Sequence, residues 1–306
     1  MASAPADAQA GTNTYAGAAA TARHAGGSGA LYLVATPIGN LEDMTYRAVR
    51  ILREADCIAA EDTRQTRKLL SHFGIHTRLV SYHEHNKQAS GPELVRLMRD
   101  EGQLIALVSD AGLPAISDPG ADLARLAVEA EVPVIPVPGA NAALTGLIAS
   151  GLPTDSFVFL GFPPRERKDL RQALERLQTA PETMLFYESP HRVEKTLEAM
   201  AETLGEERRI CLARELTKRY EEFTRGTIAE CLQHLAEHPP QGEYVLIVEG
   251  ASAEARLAAA NAWWEQLSLE DHVAHYEAKG DTRKDALKKV AADRGVSKRD
   301  IYNALL

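Results

Sequence analysis

From Leu31 onward, short apolar runs alternate with longer stretches whose apolar residues recur every three to four positions. LYLVA at 31–35 reads as a buried strand, and TYRAVRILREA at 45–55 places Tyr46, Val49, Ile51 and Leu52 at helical spacing. The same pattern predicts strands at 57–60, 78–82, 103–109 and 132–137, with helices at 63–70, 92–101, 121–130 and 140–150 between and after them. Strands that alternate with helices build βαβ units on a mainly parallel sheet, whose ligands sit at the carboxyl ends of the strands. Residues 31–160 are therefore expected to form an α/β domain.

The pattern breaks at Gly161, Pro163 and Pro164, so 161–165 is expected to be a hinge. Beyond it, helices at 168–178, 191–204 and 228–237 and strands at 183–188, 208–215, 220–226 and 244–250 predict a mixed α+β domain over 161–250, with the strands near 210 and 222 antiparallel. Residues 251–306 read as a small helical extension, with helices at 261–267, 282–295 and 297–306. Gly295 stops one helix and Ser297 caps the next. Two short helices around a Gly turn, bearing Lys and Arg, suit a helix-turn-helix or a solvated hairpin packed on the second domain. Residues 1–30, rich in Ala, Gly and Ser and without a basic or sustained apolar segment, are expected to be a disordered tail.

Composition leaves this picture intact. With 45% hydrophobic and 25% charged residues in 306, the chain is an ordinary soluble globular protein, not collagen-like, mucin-like or wholly disordered. Its net charge of −9 argues against a surface that grips nucleic acid or anionic membrane everywhere. The charge is uneven, however: 279–306 carries +4, residues 1–30 are neutral, and the middle is −13. Cys57, Cys211 and Cys231 have neither disulfide-framework nor zinc-site spacing, which fits a reducing cytoplasm. The most apolar stretch, 132–153, is interrupted by Pro133, Pro136, Pro138, Gly139 and Asn141, so no membrane span is expected.

Candidate chemistry concentrates in loops. The chain lacks the P-loop, the Rossmann glycine motif, H-E-x-x-H and G-x-S-x-G. Three loops after predicted strands, TPIGN (36–40), SDAGLPAISDPG (109–120) and PGANA (138–142), are instead rich in Gly, Pro and Asp. Gly allows close backbone approach and Pro stiffens the path, so the three together predict a cleft lined by main chain. Polar clusters follow other strands: EDTRQTRK (61–68), YHEHN (82–86), YESPHR (187–192) and ARELTKRYEE (213–222). His83 and His85, with one nearby carboxylate, suit hydrogen bonding better than ligation, and no metal site is expected.

At these residues the chain resembles a known family. TPIGNLED, EDTR, YHEHN, SDAG-x-P-x-ISDPG, PGANA, FLGF-Pro, FYESPHR and ARELTK, in this order over 31–250, are similar to the bacterial enzymes that methylate a cytidine 2′-hydroxyl in 16S ribosomal RNA, within the tetrapyrrole-methylase superfamily. Leu113, Ala115 and Pro163 depart from that pattern, where Thr, Leu and Leu are usual. The resemblance implies a homodimer of two-domain α/β subunits with S-adenosylmethionine in the cleft between domains. It implies that Pro37, Ser109, Asp110, Ala111, Gly112, Ile116, Ser117 and Ala140 line the cofactor and that Leu160 flanks its adenine. The partner implied is 16S rRNA, within the small ribosomal subunit.

A ribose hydroxyl is a poor acid, so its methylation needs in-line positioning and an acceptor for its proton. Candidate acceptors are Glu61, Glu84, Glu188 and Glu215, with Arg64, Arg192 and Lys218 placed to hold phosphates. The four glutamates stay unranked by motif, and EDTR after a short strand favours Glu61 and Arg64 as substrate-side residues. Two other readings share the cofactor loops: a precorrin-type tetrapyrrole C-methyltransferase and a non-catalytic RNA-binding assembly factor. The three intact loops disfavour the second, and the polar motifs with the basic tail disfavour the first.

Overall fold

The computed structural model describes residues 29–261, 264–265 and 267–305. The expected disordered tail lies outside these except at its end, where Gly29 and Ala30 are buried and Ala30 opens the first strand. Gly29 is required there because a Cβ would strike the Met98 carbonyl oxygen. The chain divides into two compact units, one running up to Thr145 and regaining Glu215–Glu221, the other comprising Gly146–Arg214 and the chain from Glu222 on.

The first unit is the α/β domain that the alternation predicts. Its elements are β1 (Ala30–Val34), α1 (Tyr46–Glu54), β2 (Cys57–Ala60), α2 (Thr63–His72), β3 (Leu79–Ser81), α3 (Lys87–Glu101), β4 (Leu104–Val108), α4 (Gly120–Glu129) and β5 (Val134–Val137). The strands form one parallel sheet in the order β3-β2-β4-β1-β5. Successive strand residues face opposite sides, so each side has its own core. Ala30, Tyr32 and Val34 meet Ala48, Ile51 and Leu52 of α1, whereas Leu31 and Cys57 meet Leu94 and Met98 of α3 and Leu123 of α4. Burying each such Leu, Ile or Met contributes about 1.5–3 kcal/mol. Helix α3 starts at Lys87, before the expected Pro92, because the Asn86 carbonyl accepts from the N–H groups of Ala89 and Ser90 and opens the helix early.

The chain passes between units within α5 (Ala142–Ser150). The second unit continues with β6 (Phe157–Gly161), α6 (Arg167–Glu175), β7 (Thr183–Glu188), α7 (Val193–Leu204), β8 (Arg209–Arg214), β9 (Glu222–Thr227), α8 (Ile228–Glu237) and β10 (Tyr244–Val248). Its sheet runs β6-β7-β10-β8-β9, with β6 and β7 parallel and the other pairs antiparallel, including the expected β8 and β9. Residues 157–160, expected to close the first domain, lie instead in a strand of this second sheet, and Gly161 is its last residue. The double proline marks the loop after that strand. Leu170, Leu197, Leu212, Ile228 and Leu246 share the unit's core.

The helical extension comprises α9 (Ala253–Asn261), α10 (Leu269–Ala278), α11 (Arg283–Asp293) and α12 (Lys298–Ala304). The helix expected at 261–267 lies earlier, since α9 ends at Asn261 and Trp264 and Glu265 sit in a turn. Helix α10 escapes the periodicity because its buried residues are the adjacent His272 and Val273. Val273, Leu287, Val290 and Ile301 give α10, α11 and α12 a small core. Gly295 adopts φ +62° after α11, and Ser297 and Asp300 form a reciprocal cap on α12. Among the described residues, no helix is long and apolar enough to cross a membrane.

Candidate functional site

The loops after β4, β1 and β5, neighbours in the first sheet, converge. Thr36 and Gly112 exchange backbone hydrogen bonds of 2.9 and 3.1 Å, tying TPIGN to SDAG. Gly112, at φ +77°, lies where a Cβ would come within 3.3 Å of Ile38 and 3.4 Å of the Ala140 carbonyl oxygen, so one glycine joins all three loops. Gly139 permits a second close approach, because a Cβ there would sit 2.7 Å from that of Ala35. The buried Ser109 hydroxyl donates to the carbonyls of Ala111 (3.2 Å) and Gly112 (3.4 Å). Pro37, Ser109, Asp110, Ala111, Gly112 and Ala140 are thus brought to one sheet edge.

The rest of the long loop holds unusual backbone. Ala115 and Ser117 adopt φ of +69° and +62°, a region that costs non-glycine residues on the order of 1–3 kcal/mol. The Asp118 carboxylate holds this path by accepting from the N–H groups of Ala115 (2.9 Å) and Gly120 (2.7 Å). Its second oxygen is buried without a hydrogen-bond partner among the described residues, and burial raises its pKa. Ile116 and Ser117 stand exposed on the bend. Leu160 lies in β6 of the second unit, half-buried against that unit's core.

EDTR joins the same edge from β2. Asp62 caps α2 by accepting from the Arg64 N–H (2.8 Å), and its own N–H donates to the Asp110 carboxylate (3.0 Å). Its carboxyl is held down to about 2 by the Arg64 guanidinium, which is paired with it at 2.9 Å. Arg64 is otherwise in solvent. A cleft of about 240 Å³ lies beside these groups, lined by Pro37, Ser109 and Asp110 and by Gln65, Lys68 and Leu69 of α2.

The four candidate glutamates differ sharply. Glu61, at the end of β2, has its pKa raised by burial and by the charges of Asp110 and Asp118. Glu84 is exposed and pairs with Lys87 at 2.8 Å. Glu215 takes φ +49° and pairs with Lys218 at 2.8 Å, and the Lys218 stem packs against Gly39, at the cleft. Glu188 is buried in the second unit, where its oxygens accept from the Thr196 hydroxyl (2.7 Å) and the Ser189 N–H (2.8 Å). Arg192 is likewise engaged, donating to the carbonyls of Pro163 (3.2 Å) and Pro164 (2.8 Å).

Thr36, Gln65, Lys68 and Asp118 also belong to this edge; they lie within the quoted motifs but carry no assigned role in the sequence reading. The signal for Asp118 is nonetheless present in the sequence, since Asp before Pro-Gly is a turn staple. For Gln65 and Lys68 the signal is their i, i+3 spacing on α2.

The family model for Tetrapyrrole (Corrin/Porphyrin) Methylases matches residues 30–232. A Halalkalibacterium halodurans protein named Ribosomal RNA small subunit methyltransferase I is 58% identical over 275 residues, covering 90% of this chain and 94% of its own. Proteins of the same name from Bacillus subtilis and Synechocystis are 53% and 46% identical, covering 90% and 91% of this chain and 94% and 98% of their own. Among solved structures, the methyltransferase CobJ aligns with a TM-score of 0.56 at 19% identity, covering 73% of this chain and 95% of its own. A conserved hypothetical protein from Aeropyrum pernix K1 aligns at 0.58 and 18%, covering 76% and 89%. These two structures share the fold.

Proposed function

The chain belongs to the tetrapyrrole (corrin/porphyrin) methylases, and from that premise we propose that it is an S-adenosylmethionine-dependent enzyme that methylates the 2′-hydroxyl of a cytidine in 16S ribosomal RNA. The observation that carries the methyl-transfer half is the meeting of three loops at Gly112. The names of the relatives supply the substrate. The resemblance supports a cytoplasmic homodimer acting within the small ribosomal subunit.

The residues at the sheet edge fit the cofactor. Their polar groups are mainly backbone carbonyls and amides, and the Asp110 carboxylate among them is one that a sulfonium cation tolerates. Pro37, Ser109, Asp110, Ala111, Gly112, Ile116, Ser117 and Ala140 would hold it. When bound, S-adenosylmethionine supplies an electrophilic methyl group. Glu61 would accept the proton of the attacking 2′-hydroxyl as the ribose oxygen bonds to the methyl carbon and the methyl–sulfur bond breaks, its electron pair staying on sulfur as a neutral thioether. The raised pKa of Glu61 narrows the gap to so weak an acid. Arg64, exposed beside Asp62, reaches the RNA backbone, and Lys218 lies near enough to the cleft to assist.

Ribose-methylation mapping of small-subunit rRNA, from cells with and without the protein, tests this reading. Loss of modification at one cytidine is expected. An unchanged map, or transfer of labelled methyl to a precorrin by the purified chain, would overturn it.

A further inference from the structure

The cleft beside α2 carries two polar side chains to which nothing so far gives a task. Gln65 and Lys68 are three residues apart on one helix, so they share a face, and both are exposed. Among the described residues neither side chain forms a hydrogen bond or ion pair, unlike Arg64 on the same helix, which is committed to Asp62. They line the cleft together with Pro37, Ser109 and Asp110.

Size limits the occupant. The cleft, about 240 Å³ and open to solvent, is of a size to admit a single nucleotide base. Chemistry limits it further. A carboxamide offers a donor and an acceptor side by side, which is what a base edge needs for a bidentate pair, and a lysine ammonium is a point charge suited to phosphate. Arg67, also exposed on α2, adds positive charge along the approach.

Resting on the proposed function, we infer that this cleft holds the target nucleotide, with Gln65 pairing to its base edge and Lys68 contacting its phosphate. Gln65 is then a specificity-determining residue and Lys68 an anchoring one. The unstacked base enters the cleft while its ribose is left at the wall formed by Ser109 and Asp110. An amide can turn over, so Gln65 demands a base with adjacent donor and acceptor and strengthens binding to it.

The test combines protein and RNA changes. Binding of the full chain to small-subunit rRNA fragments is measured for wild type, Gln65→Ala and Lys68→Met, each with an intact target nucleotide and with an abasic ribose in its place. Titration with S-adenosylmethionine checks that both variants keep the fold and the cofactor loops. Gln65→Ala is expected to weaken binding of intact RNA about tenfold or more, yet to bind abasic RNA as wild type does. Lys68→Met is expected to weaken both RNAs equally and to reduce the slope of log affinity against log salt by about 0.7–1. Penalties of Gln65→Ala that are equal for intact and abasic RNA, or an unaltered salt slope for Lys68→Met, would overturn the assignment while leaving the proposed function standing. Absence of RNA methylation by the wild-type chain itself would sink both.

Discussion

Four glutamates that motif reading leaves equal are separated by their surroundings. Glu188 is surrounded by Thr196, Ser189 and Arg192, which use its charge to hold the end of β7 to α7. Glu84 and Glu215 each have a lysine at 2.8 Å, so both carboxylates are engaged in ion pairs. Burial first, and then the charges of Asp110 and Asp118, raise the pKa of Glu61. The pH dependence follows: below the raised pKa the carboxyl is protonated and accepts no proton, so kcat falls on acidification at a pH above that of an ordinary glutamate. Glu61→Gln should lower kcat by roughly 10²–10⁴ and abolish that limb, with cofactor affinity retained. A kcat profile on rRNA that keeps the limb in Glu61→Gln would move the role elsewhere. The motif EDTR draws attention to this residue, but its environment is illegible in sequence, because Asp110 and Asp118 reach it only through the parallel pairing of β2 with β4.

Elements are legible where one apolar face dominates, and less so where polar burial holds them. The five strands of the first sheet and the antiparallel pair β8 and β9 follow from runs such as LYLVA and RRICLARE. Helix α10 does not, because its anchor is His272, fully buried and held by polar contacts. The His272 Nε2 lies 3.0 Å from the Asp293 carboxylate, and its Nδ1 accepts from the Arg294 Nε–H at 3.2 Å, so the ring is neutral with its proton on Nε2. Tyr276 also donates to Asp293, at 2.7 Å, and Trp264 stacks on the imidazole at 5.6 Å. Burial depresses the His272 pKa more than Asp293 raises it, and Arg294 and His275 depress it further. A histidine with a depressed folded pKa takes up more protons when unfolded, so stability is lost as pH falls below the ordinary histidine value of about 6.5. Hydrogen exchange in α10 and α11 of the full chain, corrected for intrinsic rates, should show protection falling between about pH 7.5 and pH 5.5, in the region of that value. His272→Gln should flatten the response; equal pH dependence in both proteins would rule the histidine out.

At the scale of the whole chain, −9 is an average over parts that behave differently. Several of the eight basic residues behind the +4 of 279–306 are already engaged within the helical extension. Lys289 is bound to Asp281 at 2.6 Å, Arg283 to Glu277 at 3.2 Å, and Arg294 donates to the Leu267 carbonyl at 2.7 Å. Lys284 and Lys288, one turn apart on α11, and Lys298 and Arg299, at the start of α12, have no such partner among the described residues. These four are the groups free to displace counterions from RNA. Neutralising all four to Gln should lower the slope of log affinity against log salt by about 0.7–0.9 for each phosphate no longer matched by a cation, roughly 3 in total, while S-adenosylmethionine binding stays unchanged. Lys289→Gln should leave the slope nearly as it is, because its charge is already matched by Asp281. If the quadruple variant kept the wild-type slope, α11 and α12 would be a packed hairpin with solvated charges. If the slope fell and Lys289→Gln did not reproduce the fall, an acidic protein would be gripping RNA through a few uncommitted cations at its carboxyl end.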